Sequence, residues 1–367
     1  MNKYNMAITS KQLIFIIIGT QIATGILSLS RVATENAWQD GWITILLGAM
    51  VPLLSLIIIE RLGRMFPDKN IGDIMRSLFG RIAGPLILFP FIVYIVYFQS
   101  IVTRLFAEVT KLYLLPFTPI PAILLVIVLS VIYIVSRGIK TVARINEFLF
   151  YLSLLAFTLV LTTILGGIDF TNILPLFETD IKDIARGALT TSYSFAGIEI
   201  LLVLYFMVTR KDEVLKAGLT AIGITTSIYL IIVVVCILVF GVDALQKILF
   251  PLIVLLKSVQ VPVIERLEFF FLVIWLTLGP RPVINMTFAA SYALGSMLNI
   301  DLRRYFTLIV IVIAIAIFVL ALVPRDIFVV FTWSDYAGSL SIIFAIIYPL
   351  ILLAAALLRG KQVKHQE

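Results

Sequence analysis

The sequence predicts an all-α polytopic membrane protein with ten transmembrane helices, and composition is the first reason. Of its 367 residues, 61% are apolar and only 13% are charged, whereas soluble proteins carry about 25% charged residues. The second reason is a series of apolar runs long enough to cross about 30 Å of hydrocarbon at about 1.5 Å per residue. These runs do not alternate polar and apolar residues, as the strands of a membrane barrel do. Large aqueous domains are therefore excluded.

The ten predicted spans, helices 1 to 10, follow one another with short polar connections. They cover residues 11–32, 42–60, 82–110, 119–136, 147–166, 186–208, 217–240, 265–297, 305–323 and 336–358. Helix 1 lacks a small-residue cleavage site after a short apolar core, so we expect it to be retained. In the segment 243–259, Lys247 and Lys257 enclose too few residues to span the bilayer. We expect this segment to be interfacial or re-entrant, or to be a loop with an apolar underside.

Positive charges are distributed unequally between the two sides of these spans. The net charge is 28 − 21 = +7. With a cytoplasmic N-terminus, the inner connections carry 18 of the 28 Lys and Arg residues, and the outer ones carry eight. Basic residues are costly to translocate, so we expect both termini to be cytoplasmic. Topology thus explains the positive charge, and we expect no nucleic-acid partner.

Helices 1 and 6 are each interrupted by small and polar residues near mid-membrane. In helix 1 a polar patch lies between Gly19 and Gly25, and in helix 6 the stretch 190–199 holds hydroxyl residues, a glycine and a carboxylate. A break at this depth is tolerated where it lines a cavity or is buried in protein. Each interrupted helix is the first of a group of five spans. Because five is an odd number, the second group enters the membrane from the side opposite to the first. We therefore predict an inverted repeat of residues 11–166 and 186–358 within one transmembrane domain, 1–367.

The two breaks are the predicted binding site. Free N–H groups at a half-helix N-terminus bind an anion and free carbonyls bind a cation, so a zwitterionic amino acid suits both. The alternative is that Gly19, Gly25 and Gly197 only permit close helix packing. On helix 3, Tyr94 and Phe98 lie at helical spacing, and they either line the site or pack.

Ionisable residues at membrane depth need an explanation, because an unpaired charge there is costly. Glu199 is expected to be a proton site, to accept a substrate ammonium, to pair with a cation of another helix, or to accept from the broken backbone of helix 1. Arg281 lies between two prolines that bend or open helix 8. Its fork suits a carboxylate, so it either binds the substrate or pairs with Glu199. Arg104 and Glu108, four residues apart, predict a structural ion pair.

No catalytic or metal-binding pattern accompanies these residues in the sequence. The only histidine, His365, lies in the C-terminal tail, and the only cysteine, Cys236, lies in an apolar run without a neighbouring ligand. No glycine-rich phosphate loop follows a strand. We therefore predict a protein that is not an enzyme and needs neither a cofactor nor a metal.

Short motifs occur in order along nearly the whole chain. They include Ile8-Thr9-Ser10-Lys11-Gln12-Leu13, Ala23-Thr24-Gly25-Ile26-Leu27-Ser28-Leu29-Ser30-Arg31, Asp40-Gly41-Trp42-Ile43, Leu115-Pro116-Phe117-Thr118-Pro119-Ile120, Phe195-Ala196-Gly197-Ile198-Glu199 and Ser334-Asp335-Tyr336-Ala337-Gly338. In their order and spacing they resemble the B-subunit family of bacterial spore germinant receptors. These are the endospore germination permeases of the amino acid–polyamine–organocation transporter superfamily.

This resemblance implies a fold, a location, partners and a pocket. The fold is a LeuT-like 5+5 inverted repeat in which helices 1 and 6 are broken. The location is the spore inner membrane, and the partners are an A subunit, a lipoprotein C subunit and a nutrient germinant such as an amino acid. Carried onto this chain, the family pocket consists of Ala23, Thr24, Gly25, Ile26, Tyr94, Phe98, Phe195, Ala196, Gly197, Glu199 and the region of Arg281.

The chain departs from the family pattern at two places. Many relatives have glycine where Ala23 stands and proline where Ser30 stands. The Gly-Pro-Arg-Pro stretch of helix 8 also replaces an ordinary apolar segment, so a relative's germinant does not transfer to this chain. We expect a subunit that binds a germinant and triggers germination. The alternatives are a proton- or sodium-coupled amino acid transporter and a scaffold that binds no nutrient.

Overall fold

Helices dominate the computed structural model, which describes residues 6–22, 24–258 and 266–364. Within these ranges there is no β-strand, and β pairing is limited to a single bridge between Ile8 and Val208. Seven helices of the described chain are long and apolar enough to cross a membrane, and the bent pair Ile181–Phe195 and Ile198–Met207 makes an eighth. The prediction of an all-helical integral membrane protein is confirmed.

The residues predicted as helices 1 to 5 form seven α-helices. They are α1 (Ser10–Gln21), α2 (Leu29–Ala37), α3 (Gly41–Gly48), α4 (Met50–Met65), α5 (Ile71–Tyr113), α6 (Ile120–Ser136) and α7 (Ile139–Thr162). Thr9 starts α1 with a capping box, because its hydroxyl accepts from the backbone of Gln12 and the Gln12 side chain accepts from the backbone of Thr9. Asn70 caps α5, which turns at Gly80 (φ 86°), so helix begins before the predicted residue 82.

The described residues of the second half of the chain form ten further α-helices. They are α8 (Ile181–Ser192), α9 (Leu201–Leu204), α10 (Val214–Phe240), α11 (Val242–Leu245), α12 (Pro251–Ser258), α13 (Leu267–Leu278), α14 (Arg281–Met297), α15 (Leu302–Leu322), α16 (Ile327–Ile342) and α17 (Tyr348–Lys364). The predicted start of helix 10 at residue 336 is wrong. The carboxylate of Asp326 caps α16 by accepting from the N–H groups of Phe328 and Val329, so the helix begins at Ile327.

The segment predicted not to span the membrane forms two short helices, α11 and α12. At eight residues α12 is too short to cross a bilayer. It packs against α13, α10 and the turn that follows α1. Its buried residues are Pro251, Leu252, Ile253, Leu255 and Leu256. The end of the predicted segment, residue 259, lies outside the described residues.

Helices α1 and α14 lie at the centre of the bundle. α14 packs on α5, α15 and α1, and α1 also packs on α10 and α7. Large apolar side chains remain exposed on the outer helices, for example Leu125, Val126 and Leu129 on α6 and Leu308 on α15. Such an exposed apolar surface is expected where a protein meets lipid.

Candidate ligand-binding site

Helix α1 ends in the middle of predicted helix 1. Its last residue is Gln21, and Ile22 then takes an extended conformation (φ −80°, ψ 93°). Ala23 lies outside the described residues, and Thr24–Leu27 forms one 3₁₀ turn before α2 begins. The polar side chains that flank this break are buried, namely those of Thr20, Gln21 and Thr24.

A second break separates α8 from α9. A 3₁₀ turn over Tyr193–Phe195 follows α8, Ala196 is extended (ψ 147°), and Gly197 has a φ of 120°. The two halves of the span are bent by 47°. A side chain at residue 197 would be strained at this φ, and its Cβ would lie 2.5 Å from Cγ2 of Thr20. Glycine therefore permits both the turn and the close approach of helix 1.

The two breaks pack against each other. A Cβ placed on Gly25 would lie 3.1 Å from Oγ of Ser194. The side-chain amide of Gln21 donates to the backbone carbonyl of Phe195 at 3.3 Å. Close packing, one of the two interpretations of these glycines, is therefore what the geometry shows at Gly25 and Gly197.

Tyr229 of α10 joins the two breaks and was missed by the sequence reasoning. Its hydroxyl lies 2.8 Å from the carbonyl of Gln21 and 2.9 Å from that of Ser194. A phenol has one proton, so it donates to one carbonyl at a time. Each break leaves backbone carbonyls without a partner inside its helix. The fully buried hydroxyl of Tyr229 supplies a hydrogen-bond donor for them, which is a structural reason for this residue. The signal in the sequence is a single tyrosine inside the apolar run 222–239.

Glu199 accepts hydrogen bonds from both sides of its carboxylate. Oε1 accepts from the hydroxyl of Tyr94 at 2.7 Å, and Oε2 accepts from the backbone N–H of Gly197 at 2.9 Å. Of the four roles that the sequence left open for Glu199, the last was a bond to the backbone of helix 1, but the backbone donor found among the described residues is the N–H of Gly197 in the break of helix 6. The carboxylate is fully buried, and Tyr94, predicted from its helical spacing, is brought to it.

The aromatic face of α5 divides between two neighbours. The ring of Phe98 lies 5.3 Å from that of Tyr193 in the second break. Tyr94 stacks on Phe344 at 4.4 Å, while Tyr97 turns towards Trp333 of α16 at 5.8 Å. Tyr94 and Phe98 therefore contact residues of the break of helix 6, and their role in binding a ligand stays a prediction.

Two asparagines tie α7 and α14 to α1, and the sequence reasoning did not find them. The Asn285 amide nitrogen lies 2.9 Å from the hydroxyl of Thr20 and 3.1 Å from Oδ1 of Asn146. Asn146 donates back to Oδ1 of Asn285 at 2.6 Å. A Cβ on Gly19 would lie 2.2 Å from Oδ1 of Asn146. Gly19 therefore permits close packing, which was the alternative role predicted for it.

Arg281 is 1% exposed, at the start of α14. Pro282 has no N–H to donate to the carbonyl of Leu278, and Nε of Arg281 donates to that carbonyl at 3.1 Å instead. Nη1 and Nη2 have no hydrogen-bond partner among the described residues. The alternative that Arg281 pairs with Glu199 is therefore wrong, because Glu199 is not a partner of either terminal nitrogen. The predicted pair of Arg104 and Glu108 is confirmed at 2.8 Å.

Arg281 lines a cavity of about 50 Å³ beside the first break. Its walls come from the break of helix 1, from α7, α10 and α12, and from the α13–α14 junction. The lining residues are Ile22, Ile26, Ser153, Ala156, Phe157, Val160, Ile228, Ile232, Leu252, Phe271, Trp275, Leu278, Gly279 and Arg281. Of the predicted site residues that the structure describes, Ile26 and Arg281 line this cavity. The others lie where the two breaks and α5 meet.

Comparison with known proteins identifies relatives along almost the whole chain. The family model described as "Spore germination protein" matches residues 7–327. Spore germination protein YndE of Bacillus subtilis (strain 168) is 28% identical over 350 residues, which cover 94% of this chain and 95% of the relative. Spore germination protein KB of the same organism is 30% identical over 271 residues, 72% of each chain.

Solved structures with a similar fold are transporters. A Na⁺-coupled sialic acid symporter, in a substrate-bound outward-open state, has a TM-score of 0.66 at 13% identity and is matched over 92% of this chain and 78% of its own. Mhp1, a nucleobase-cation-symport-1 family transporter in a closed conformation, has a TM-score of 0.64 at 14% identity, over 92% and 77%. At such identities the likeness describes the fold alone.

Proposed function

The chain belongs to the spore germination protein family, as its motifs indicated, and we propose that it is the nutrient-sensing transmembrane subunit of a germinant receptor. An amino acid or similar small polar molecule would bind at the breaks of helices 1 and 6 and favour one arrangement of the bundle. A ligand that bound both arrangements equally would shift nothing. The observation that carries the proposal is that both helices are interrupted where they meet, next to a buried carboxylate.

The proposed architecture is ten helices in a 5+5 inverted repeat of residues 11–166 and 186–358, with a re-entrant segment near 243–259. The two interrupted helices are the first of each group, which supports the repeat. The similarity to transporter folds supports it too. We also propose that both termini face the cytoplasm, because the inner connections would then carry most of the basic residues.

The proposed binding residues form three groups. The first break contributes Ala23, Thr24, Gly25 and Ile26, and the second contributes Phe195, Ala196, Gly197 and Glu199. Tyr94 and Phe98 approach from α5, and Arg281 lies at the start of α14, where its side chain approaches Gly19 of helix 1. Backbone groups freed at a break and the two buried charges are the chemistry that would hold a small polar ligand.

The proposed location is the spore inner membrane, in a complex with an A subunit and a lipoprotein C subunit. The support is family membership together with the membrane-spanning helices. This complex would be a receptor, not an enzyme.

Thr24→Val tests the proposal in spores of the parent organism that lack the wild-type gene. The buried hydroxyl of Thr24 is lost while the side-chain shape is kept. We expect the nutrient concentration for half-maximal germination to rise at least about tenfold. Thr158→Val is the matched control, because that threonine is exposed on α7 and donates only to the carbonyl of Leu154. If the two variants have equal protein levels and identical dose–response curves, the nutrient does not bind at the breaks and the proposal is wrong.

The second candidate function is a proton- or sodium-coupled amino acid transporter, which the transporter-like fold and the buried Glu199 favour. Purified protein in sealed vesicles distinguishes the two. Accumulation of labelled amino acid against its gradient, driven by a proton or sodium gradient, would establish transport. Saturable binding of the amino acid without accumulation would support the receptor and exclude the transporter.

A further inference from the structure

The guanidinium of Arg281 is a buried positive charge without a countercharge in the described chain. It is 1% exposed, and its Nε is occupied by the carbonyl of Leu278. Nη1 and Nη2 point to no acceptor among the described residues. Taking a charge out of water is costly unless it is paired and hydrogen-bonded. The two terminal nitrogens therefore fit a negative group that the described chain does not supply.

The acidic residues that the structure describes on the neighbouring elements have other partners. The carboxylate of Glu199 accepts from Tyr94 and Gly197. Glu147, on α7, pairs with Lys11 at 3.3 Å. The hydroxyl of Tyr229 is held by the backbone carbonyls of Gln21 and Ser194. Among the described residues none of these groups is a hydrogen-bond partner of Nη1 or Nη2, which an anion from outside the chain would satisfy.

The cavity beside Arg281 restricts the size and polarity of such an anion. Its volume of about 50 Å³ holds roughly three to five water-sized groups. Besides Arg281, its polar side chain is Ser153, which donates to the carbonyl of Phe150 at 2.6 Å. Phe271 and Trp275 form part of an otherwise apolar wall. Such a cavity suits a ligand with one charged end and an apolar remainder.

We infer that this cavity binds the carboxylate of a compact, apolar monocarboxylic acid. Each of the two carboxylate oxygens can accept from one of the nitrogens Nη1 and Nη2, whereas a spherical anion offers a single acceptor atom to both. The short apolar stem packs against Phe271 and Trp275. Ile22 and Ile26 of the cavity wall flank the first break, so an occupied cavity bears on that break directly. The inference goes beyond the proposed function, on which it rests for its biological meaning, because it adds an acid site beside the first break to the site proposed for the small polar germinant.

Equilibrium binding of radiolabelled propionate to the purified full chain in nanodiscs of neutral lipid tests this inference. We expect saturable binding at one site per chain. Unlabelled propionamide has the same shape without the charge and should compete at least about tenfold more weakly than unlabelled propionate. Chloride should compete no better than propionamide. Equal competition by propionamide or by chloride, or no saturable binding, overturns the inference.

Two variants locate the binding site. Arg281→Gln removes the charge and should weaken propionate binding at least about tenfold, whereas Arg137→Gln, at an exposed arginine that stacks on Tyr133, should leave it unchanged. Should Arg281→Gln fail to fold, Ala156→Leu fills the cavity without altering any charge, and it should abolish binding. Unchanged binding in Ala156→Leu or in a folded Arg281→Gln overturns the inference.

The binding assay and the germination assay fail independently. Propionate binding uses no spores, and Thr24→Val changes no residue of the cavity wall. A germination defect in Thr24→Val without propionate binding overturns the acid site and keeps the receptor. Propionate binding without a germination defect in Thr24→Val keeps the acid site and overturns the germinant site at the breaks.

Discussion

Replacing Gly197 by alanine should destabilise the protein by about 2–6 kcal/mol, because two separate costs fall on one methyl group. At φ 120° a residue with a side chain is strained by about 1–3 kcal/mol. The new Cβ would also lie 2.5 Å from Cγ2 of Thr20, and overpacking a dense core costs about 1–3 kcal/mol. Thr20→Ser should relieve the second cost alone, since it removes that methyl group and keeps the hydroxyl that accepts from Asn285.

The assay is equilibrium unfolding of the purified chain in mild detergent, titrated with sodium dodecyl sulfate. Gly223→Ala is the matched control, because a Cβ there would meet no atom within 4 Å. In a helix this change should be neutral or stabilise by about 0.5–1 kcal/mol. The double variant of Thr20→Ser and Gly197→Ala should recover about 1–3 kcal/mol relative to Gly197→Ala. Equal stability of the two alanine variants, or no recovery in the double variant, would refute the reasoning.

Three further changes test the polar contacts around the breaks. Tyr229→Phe removes the hydroxyl shared by two buried carbonyls and should cost about 1–3 kcal/mol in the same unfolding assay, whereas Tyr133→Phe at an exposed tyrosine should cost nothing measurable. Glu199→Gln keeps two hydrogen-bonding groups without the charge, so it should unfold within about 1 kcal/mol of wild type; a larger loss would show that the charge itself is structural. Asn285→Leu removes the partner of the side-chain amide of Asn146 and should lower the free energy of unfolding by more than about 1 kcal/mol. A smaller loss would show that the bonds between the two asparagines do not stabilise the protein.

The sequence predicted the breaks because their signal is local. Glycines and hydroxyl residues inside an apolar run are costly without a reason, and both breaks occur where these residues cluster. Tyr94 followed from helical spacing, and its contact with Glu199 is a consequence of which face α5 turns inwards. The pairing of Arg104 with Glu108 lies within one helix and needs no tertiary information.

The contacts between distant segments were not predictable in the same way. Asn146 and Asn285 are 139 residues apart in the chain, and only the packing of α7 and α14 against α1 shows that their side chains bond to each other. For Glu199 the sequence left four roles open, because it does not show which donors lie within reach; the structure brings the hydroxyl of Tyr94 and the N–H of Gly197 to its carboxylate. For Arg281 the sequence indicated a carboxylate partner, but only the packing shows that Glu199 is occupied and that a cavity lies beside the guanidinium.

A reversible disulfide between the two breaks tests most directly whether they act together in sensing. The Cβ positions of residues 25 and 194 lie 3.6 Å apart, within the usual range of about 3.5–4.5 Å for a disulfide. The measurement is the nutrient dose–response of spores carrying Gly25→Cys and Ser194→Cys in a Cys236→Ala background, before and after reduction. We predict a weak response while the bond is intact and recovery once it is reduced. A bond that forms and leaves the nutrient response unchanged would contradict the account.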